Sequence, residues 1–107
     1  MFASRRLLNA CRITFFTRDN CGLCQEAAQV LSDVSKKRPF VCKKVNLALP
    51  ESTPWRELYD FDIPVVHIAK TAAEEEQVAM AGHAVKLMHR FTPAQVEAKM
   101  DQVEASG

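Results

Sequence analysis

Residues 12–17 read RITFFT, β-branched and aromatic on both faces of an extended segment. That pattern predicts a central strand covered on both sides. A helical spacing then takes over. Cys24, Ala27, Ala28, Leu31 and Val34 recur three and four residues apart, the stripe of an amphipathic helix. Asn20 is the expected N-cap of this helix. Lys36, Lys37 and Arg38 suit its C-terminus, and Pro39 marks the stop, because the residue before a proline is pushed out of the helical region.

Residues 40–46, FVCKKVN, predict a second strand, and the adjacent lysines make it an edge. Two strands flanking one helix form a βαβ unit, so they are expected to run parallel through a right-handed crossover. PWRELYD, residues 54–60, predicts a short helix with Pro54 at its first position. Val65-Val66-His67-Ile68 predicts a third strand, TAAEEE a charged turn, and residues 77–81 a weak fourth strand antiparallel to the third. Thr92 and Gln95 have capping-box spacing around Pro93, and Val96, Met100 and Val103 line the last helix. The predicted order is β-α-β-α-β-β-α, an α/β domain with a four-stranded mixed sheet flanked by helices.

A chain of 107 residues, 48% hydrophobic and 25% charged, fits one globular domain. No apolar run approaches the roughly 20 residues that span a bilayer. Four cysteines are too few for a disulfide-scaffolded secreted domain, so an intracellular setting, cytoplasmic or mitochondrial, is expected. The domain is expected over 12–104. Residues 1–11, which hold Arg, Ser and Leu and no acid, read either as a short mitochondrial targeting segment or as a plain basic tail. The net charge of +1 hides an asymmetry: nine Lys/Arg against three Asp/Glu up to residue 50, five against ten beyond it. The basic half holds all four cysteines, so it is either a positive surround that favours thiolates or a clustering of surface charge without consequence. Nothing points to nucleic acid or a membrane, and a monomer is expected.

The chemistry concentrates in TRDNCGLCQEAAQVL, residues 17–31. Cys21 falls where the strand gives way to the helix. Unpaired first-turn N–H groups and aligned peptide dipoles there lower a thiol's pKa. Arg18 brings a full positive charge three residues earlier. Cys24 lies about one turn on, more buried and within bonding reach, placed to resolve a mixed disulfide. Gly22 leaves the outer sulfur open, and Leu23 adds an apolar shoulder. A lone C-x-x-C is weak evidence; one that opens a helix inside a βαβ unit points to a redox pair. A zinc site would need two more ligands, and Cys11, Cys42, His67, His83 and His89 are scattered singly. A purely structural disulfide fits poorly with an intracellular chain.

ITFFTRDNCGLC resembles the opening of glutaredoxins: an apolar strand, Thr/Ser, a basic residue, two spacers and C-x-x-C. Ile63-Pro64-Val65 resembles the hydrophobic-Pro segment before the third strand of thioredoxin-like folds. The resemblance implies a thioredoxin-like, glutaredoxin-type fold, with Cys21 as nucleophile and Cys24 as resolving thiol. It also implies a cis Pro64 facing the sulfurs, with the Ile63 backbone pairing with the partner thiol's peptide. Arg18 would help hold a glutathione carboxylate, making glutathione or protein disulfides the partners, with no metal expected. The chain departs from the family pattern in two ways. The pair encloses Gly-Leu rather than Pro-Tyr, and the Gly-Gly and acidic pair after the fourth strand are missing. That region reads MAGHAVKL, with only Gly82 and then His83, a candidate partner contact. Two further readings stay open: a metal or iron–sulfur carrier using Cys21 with a glutathione thiol, and an interaction module with little catalysis.

Of the remaining residues, Cys42 is expected to be a small buried apolar residue and Cys11 an accessible thiol in the basic tail. His67 is expected to be a satisfied histidine within the sheet. Trp55 and Tyr59 are expected to pack, Arg56 to be solvated, and Glu74-Glu75-Glu76 to form a solvated loop tip.

Overall fold

The computed structural model describes residues 10–106. The targeting-segment reading falls mostly on residues 1–9, outside the described residues. The elements are β1 (Cys11–Thr17), α1 (Gly22–Lys37), β2 (Val41–Asn46), α2 (Thr53–Tyr59), β3 (Val65–Lys70), β4 (Val85–Met88) and α3 (Pro93–Ala105). One 3-10 turn, Pro50–Ser52, precedes α2, and another, Val78–His83, precedes β4. The sheet order is β2-β1-β3-β4. β1 and β2 are parallel, as a βαβ unit requires, and β3 is antiparallel to both β1 and β4. β1 is buried along its whole length because it has a strand on each side and layers on both faces.

On one face, Ile13, Phe15, Val66 and Ile68 meet Ala27, Leu31 and Val34 of α1 and Val96, Met100 and Val103 of α3. Both halves of the expected capping box start α3. The Gln95 N–H donates to Thr92 Oγ1 at 3.2 Å, and the Thr92 N–H donates to Gln95 Oε1 at 2.8 Å, a device worth about 1 kcal/mol. The other face is divided. Toward the C-terminal end of β1, Phe16, Val65, Leu47, Tyr59 and Ala81 form an apolar cluster. Phe16 packs 4.5 Å from Trp55 and 5.3 Å from Tyr59, so both aromatic residues of α2 pack as expected.

Toward the start of β1 the same face turns polar. The register aligns Lys43, Thr14, His67 and Lys86 across all four strands, with Arg12 behind them. The acidic run lies over this row. Arg12 donates to the carbonyls of Ala73 and Glu74 at 2.9 and 2.8 Å and pairs with Glu76 at 3.0 Å. Glu76 also meets His67 Nδ1 at 2.7 Å, and Lys43 bonds Glu75. Glu74 and Glu75 stay exposed as expected, but Glu76 turns inward, so the loop is also a strap, tied down by cations that the sheet could not otherwise bury. Arg56, expected to be solvated, caps the Leu47 carbonyl at 2.8 Å.

Several other expectations are corrected. The fourth strand is Val85–Met88, not residues 77–81. Val85 and Leu87 pack on the helical face, giving this segment a period-2 reason to be a strand. Residues 77–81 lead out of the strap into the 3-10 turn. Cys11 belongs to β1 and is fully buried, whereas Cys42 on the edge strand is exposed. Ala28, counted in the helical stripe, is exposed, leaving Cys24, Ala27, Leu31 and Val34 buried.

Candidate redox site

Three segments converge at the C-terminal end of β1: the loop into α1, the turn into β3 and the turn out of β4. In the first, Asn20 takes a left-handed backbone (φ 59°) and does not cap the helix. Asn tolerates that region because its short polar side chain bonds locally. The cap falls to Cys21, which is extended (φ −123°, ψ 108°), and its own sulfur accepts the Cys24 N–H at 3.2 Å. A helix-start amide thus points at Cys21 Sγ, the polarisation expected from the sequence. Cys24 is buried beneath, its Cα 5.2 Å from that of Cys21 and the two sulfurs at disulfide distance. Cys21 and Leu23 are half-buried, and Gly22 is exposed. A Cβ on Gly22 would meet nothing within 4 Å beyond its own chain neighbours, so the packing around it does not require glycine.

In the second segment, the Ile63–Pro64 bond is cis. Phe16 pairs with Val65, and the same register continued places Pro64 opposite Thr17, the last residue before the redox loop. Arg18 forms an ion pair with Asp60, just after α2, which ties this segment to the loop. In the third, His89 follows β4 with φ 65°, donates its N–H to the Pro64 carbonyl at 2.8 Å, and holds Nε2 3.9 Å from Asp62. Cys21, Cys24, Arg18, Ile63 and Pro64 therefore share one end of the sheet.

His83 does not. Val85 pairs with Ile68 and Met88 with Val65, so His83 lies beyond the opposite end of β4. There it lines an open groove with Lys70, Met80, Val103 and Ser106. The error follows from the misplaced fourth strand. The residues after β4 are His89 and Arg90, of which the sequence offers His89 only as a singly scattered metal-ligand candidate. The alternation of Val85 and Leu87 was the available signal, and histidine is among the residues enriched in the left-handed region.

A family model described as "Glutaredoxin-like domain (DUF836)" matches residues 12–101. The chain belongs to this glutaredoxin-like family. Solved structures of the thioredoxin fold resemble it at low identity. Chloroplastic thioredoxin z has a TM-score of 0.65 at 22% identity, covering 97% of this chain and 84% of that one. A thioredoxin-like protein from Clostridium perfringens has 0.65 at 19%, covering 90% and 72%. A thioredoxin from Halobacterium salinarum NRC-1 has 0.64 at 13%, covering 92% and 79%. These likenesses bear on the fold; the sulfur pair at the strand-to-helix turn of a glutaredoxin-like domain bears on the chemistry, which is thiol redox.

Within the glutaredoxin-like frame, the other thiols lie apart from the site. Burial and then the Glu104 carboxylate, 3.4 Å away, push the Cys11 thiol up to about 12. His67, buried as expected, joins Tyr59 Oη at 2.6 Å to Glu76. Burial holds it below the ordinary histidine value, against the opposing effect of Glu76. Among the described residues, no three His, Cys, Asp or Glu side chains converge in a group able to hold a metal. No helix among them is long and apolar enough to cross a membrane.

Proposed function

We propose that the protein is a thiol–disulfide oxidoreductase of a reducing compartment, cytoplasmic or mitochondrial, acting on protein disulfides or on glutathione disulfides. The observation that carries this reading is the Cys24 N–H held on Cys21 Sγ with the second sulfur at disulfide distance behind it. In the reduced protein the same amide stabilises a Cys21 thiolate, so Cys21 is the nucleophile. It attacks one sulfur of the substrate disulfide. The Cys21–substrate S–S bond forms, the substrate S–S bond breaks, and the departing thiolate takes a proton from water. Cys24, deprotonated in turn, attacks Cys21 Sγ. The internal disulfide closes and the second substrate sulfur leaves as a thiol. Two electrons pass from the Cys21/Cys24 dithiol to the substrate. A second dithiol, or two glutathione thiols, restores the pair by the reverse exchange. Ile63 and Pro64 border the attacking sulfur and receive the substrate's backbone.

The two cysteine variants test the order of events. Cys21→Ser should abolish disulfide reduction. Cys24→Ser should accumulate a mixed disulfide on Cys21, seen by mass spectrometry after mixing reduced protein with oxidised glutathione or a disulfide-bonded protein. Reduction that persists in Cys21→Ser, or an adduct on Cys42 instead, would sink the assignment.

A further inference from the structure

Phe61 is 94% exposed, far more than any other large apolar side chain among the described residues. Its backbone is fixed from both sides. Asp60 is tied to Arg18 of the redox loop, and Asp62 donates its N–H to the Tyr59 carbonyl at 2.8 Å and faces His89. Two residues further on, Ile63 and the cis Pro64 lead into β3. An aromatic ring is thus held in water on a pinned turn, between two segments that border the sulfurs, and its own fold gains nothing from it. Leu58, three residues earlier, is also partly exposed. A rigid aromatic with few rotatable bonds gives large contact area at small entropic cost, which suits a recognition anchor.

We infer that Phe61 is the specificity-determining residue of the redox site and selects protein disulfides that carry an apolar side chain near the reacting cysteine. This rests on the thiol–disulfide exchange proposed above. The exchange itself fixes the occupant: a partner bonded to Cys21 Sγ must lie across the rim formed by the redox loop and the turn into β3. Glutathione, a tripeptide, brings no large apolar group to the ring. A protein chain does, since residues beside its cysteine extend about 3.3 Å each along the rim. Arg18, the cation assigned to a glutathione carboxylate, is paired with Asp60, so that carboxylate would compete with an existing ion pair.

The test compares kcat/KM for insulin disulfides with kcat/KM for bis(2-hydroxyethyl) disulfide, both recycled by the same dithiol. Phe61→Ala should lower the protein-to-small-disulfide ratio by about tenfold, the scale of one buried aromatic anchor. The loss should appear in KM for insulin, and Phe61→Leu should recover most of it. Met80→Ala, an exposed apolar residue in the groove at the far end of the sheet, should keep the wild-type ratio. A Phe61→Ala ratio within twofold of wild type overturns the inference. So does wild-type protein that turns over the small disulfide but not insulin, while the oxidoreductase reading stands. Wild-type protein that reduces neither substrate removes that reading and the inference with it.

Discussion

Cys11 and Cys42 exchange the environments that their sequence positions imply, and the reason lies in the sheet. Cys11 follows a basic tail, yet it begins the central strand and is sealed by α3, with its thiol beside Met100 and Glu104. Cys42 sits on the strand that its lysines already mark as the edge, and there it stays exposed, although partial burial raises its thiol pKa as well. A thiol pushed up to about 12 is protonated at neutral pH and does not act as a nucleophile. Iodoacetamide applied to the folded, oxidised protein at neutral pH should therefore label Cys42 and spare Cys11 until denaturant is added. Peptide mapping reads this directly, and equal labelling of both in the native state would contradict the burial. His67 makes the second residue-scale case. Because burial keeps its folded pKa below the ordinary value, the unfolded chain binds a proton that the folded chain refuses between those two values. Stability should be full above about pH 7 and fall as pH drops through about 6.5, by at most about 1.4 kcal/mol per pH unit, then level off below the folded value. Urea midpoints measured from pH 8 to 5 check the slope, which should flatten in His67→Gln. An unchanged slope in that variant would assign the effect elsewhere.

At the scale of elements, the strap over the polar half of the sheet is the feature that local pattern hides. Glu76 joins Arg12 and His67, and all three side chains are largely buried. Removing the carboxylate's charge leaves a guanidinium with an impaired partner in a poorly solvated place. Glu76→Gln should cost about 2–4 kcal/mol in urea unfolding, whereas Glu74→Gln should cost under about 0.5 kcal/mol, because Glu74 bonds Arg12 through its backbone carbonyl. Similar losses for the two would mean that the strap does not cover the sheet as described. The contrast also shows what the sequence could reveal. β1, α1, β2 and α3 were legible because each satisfies its own periodicity or cap. The redox pair was legible because its geometry depends only on a strand running into a helix. The position of β4 was legible only through the alternation of Val85 and Leu87, and the strap was not legible at all, since an acidic run carries no local sign that distant Arg12 and His67 will hold it. Cys21 as the cap was not legible either, because a sulfur is a weak acceptor and propensity ranks Asn above it, whereas Asn20 takes the left-handed turn before it.

At the scale of the whole molecule, the charge asymmetry between the two halves of the chain finds its explanation in the fold. The basic half's Arg12, Arg18, Arg38 and Lys43 pair with Glu76, Asp60, Asp101 with Glu104, and Glu75 of the acidic half. The excess positive charge near the cysteines is thus answered largely within the molecule, and what polarises Cys21 is the local amide rather than a broad cationic field. Two halves of opposite sign also attract across the fold, a contribution that salt screens. At 0.05 M the screening length is longer than the roughly 10 Å of 0.1 M salt, and at 1 M it falls to about 3 Å, so the longer-range part of this attraction should vanish between them. Several of the pairs are partly exposed, where each is worth only about 0–1 kcal/mol. The expected loss is therefore about 1 kcal/mol in total, or roughly 4–8 °C in Tm for a domain of this size. Scanning calorimetry in sodium chloride at pH 7.5 measures it, chloride being chosen over sulfate because sulfate strengthens apolar burial by exclusion. Reversing one side of the pairing, Arg38→Glu, should lower Tm at low salt and shrink the difference between low and high salt. A Tm that rises with sodium chloride in the wild-type protein would mean that the opposite halves do not attract and that the paired charges leave no net stabilisation.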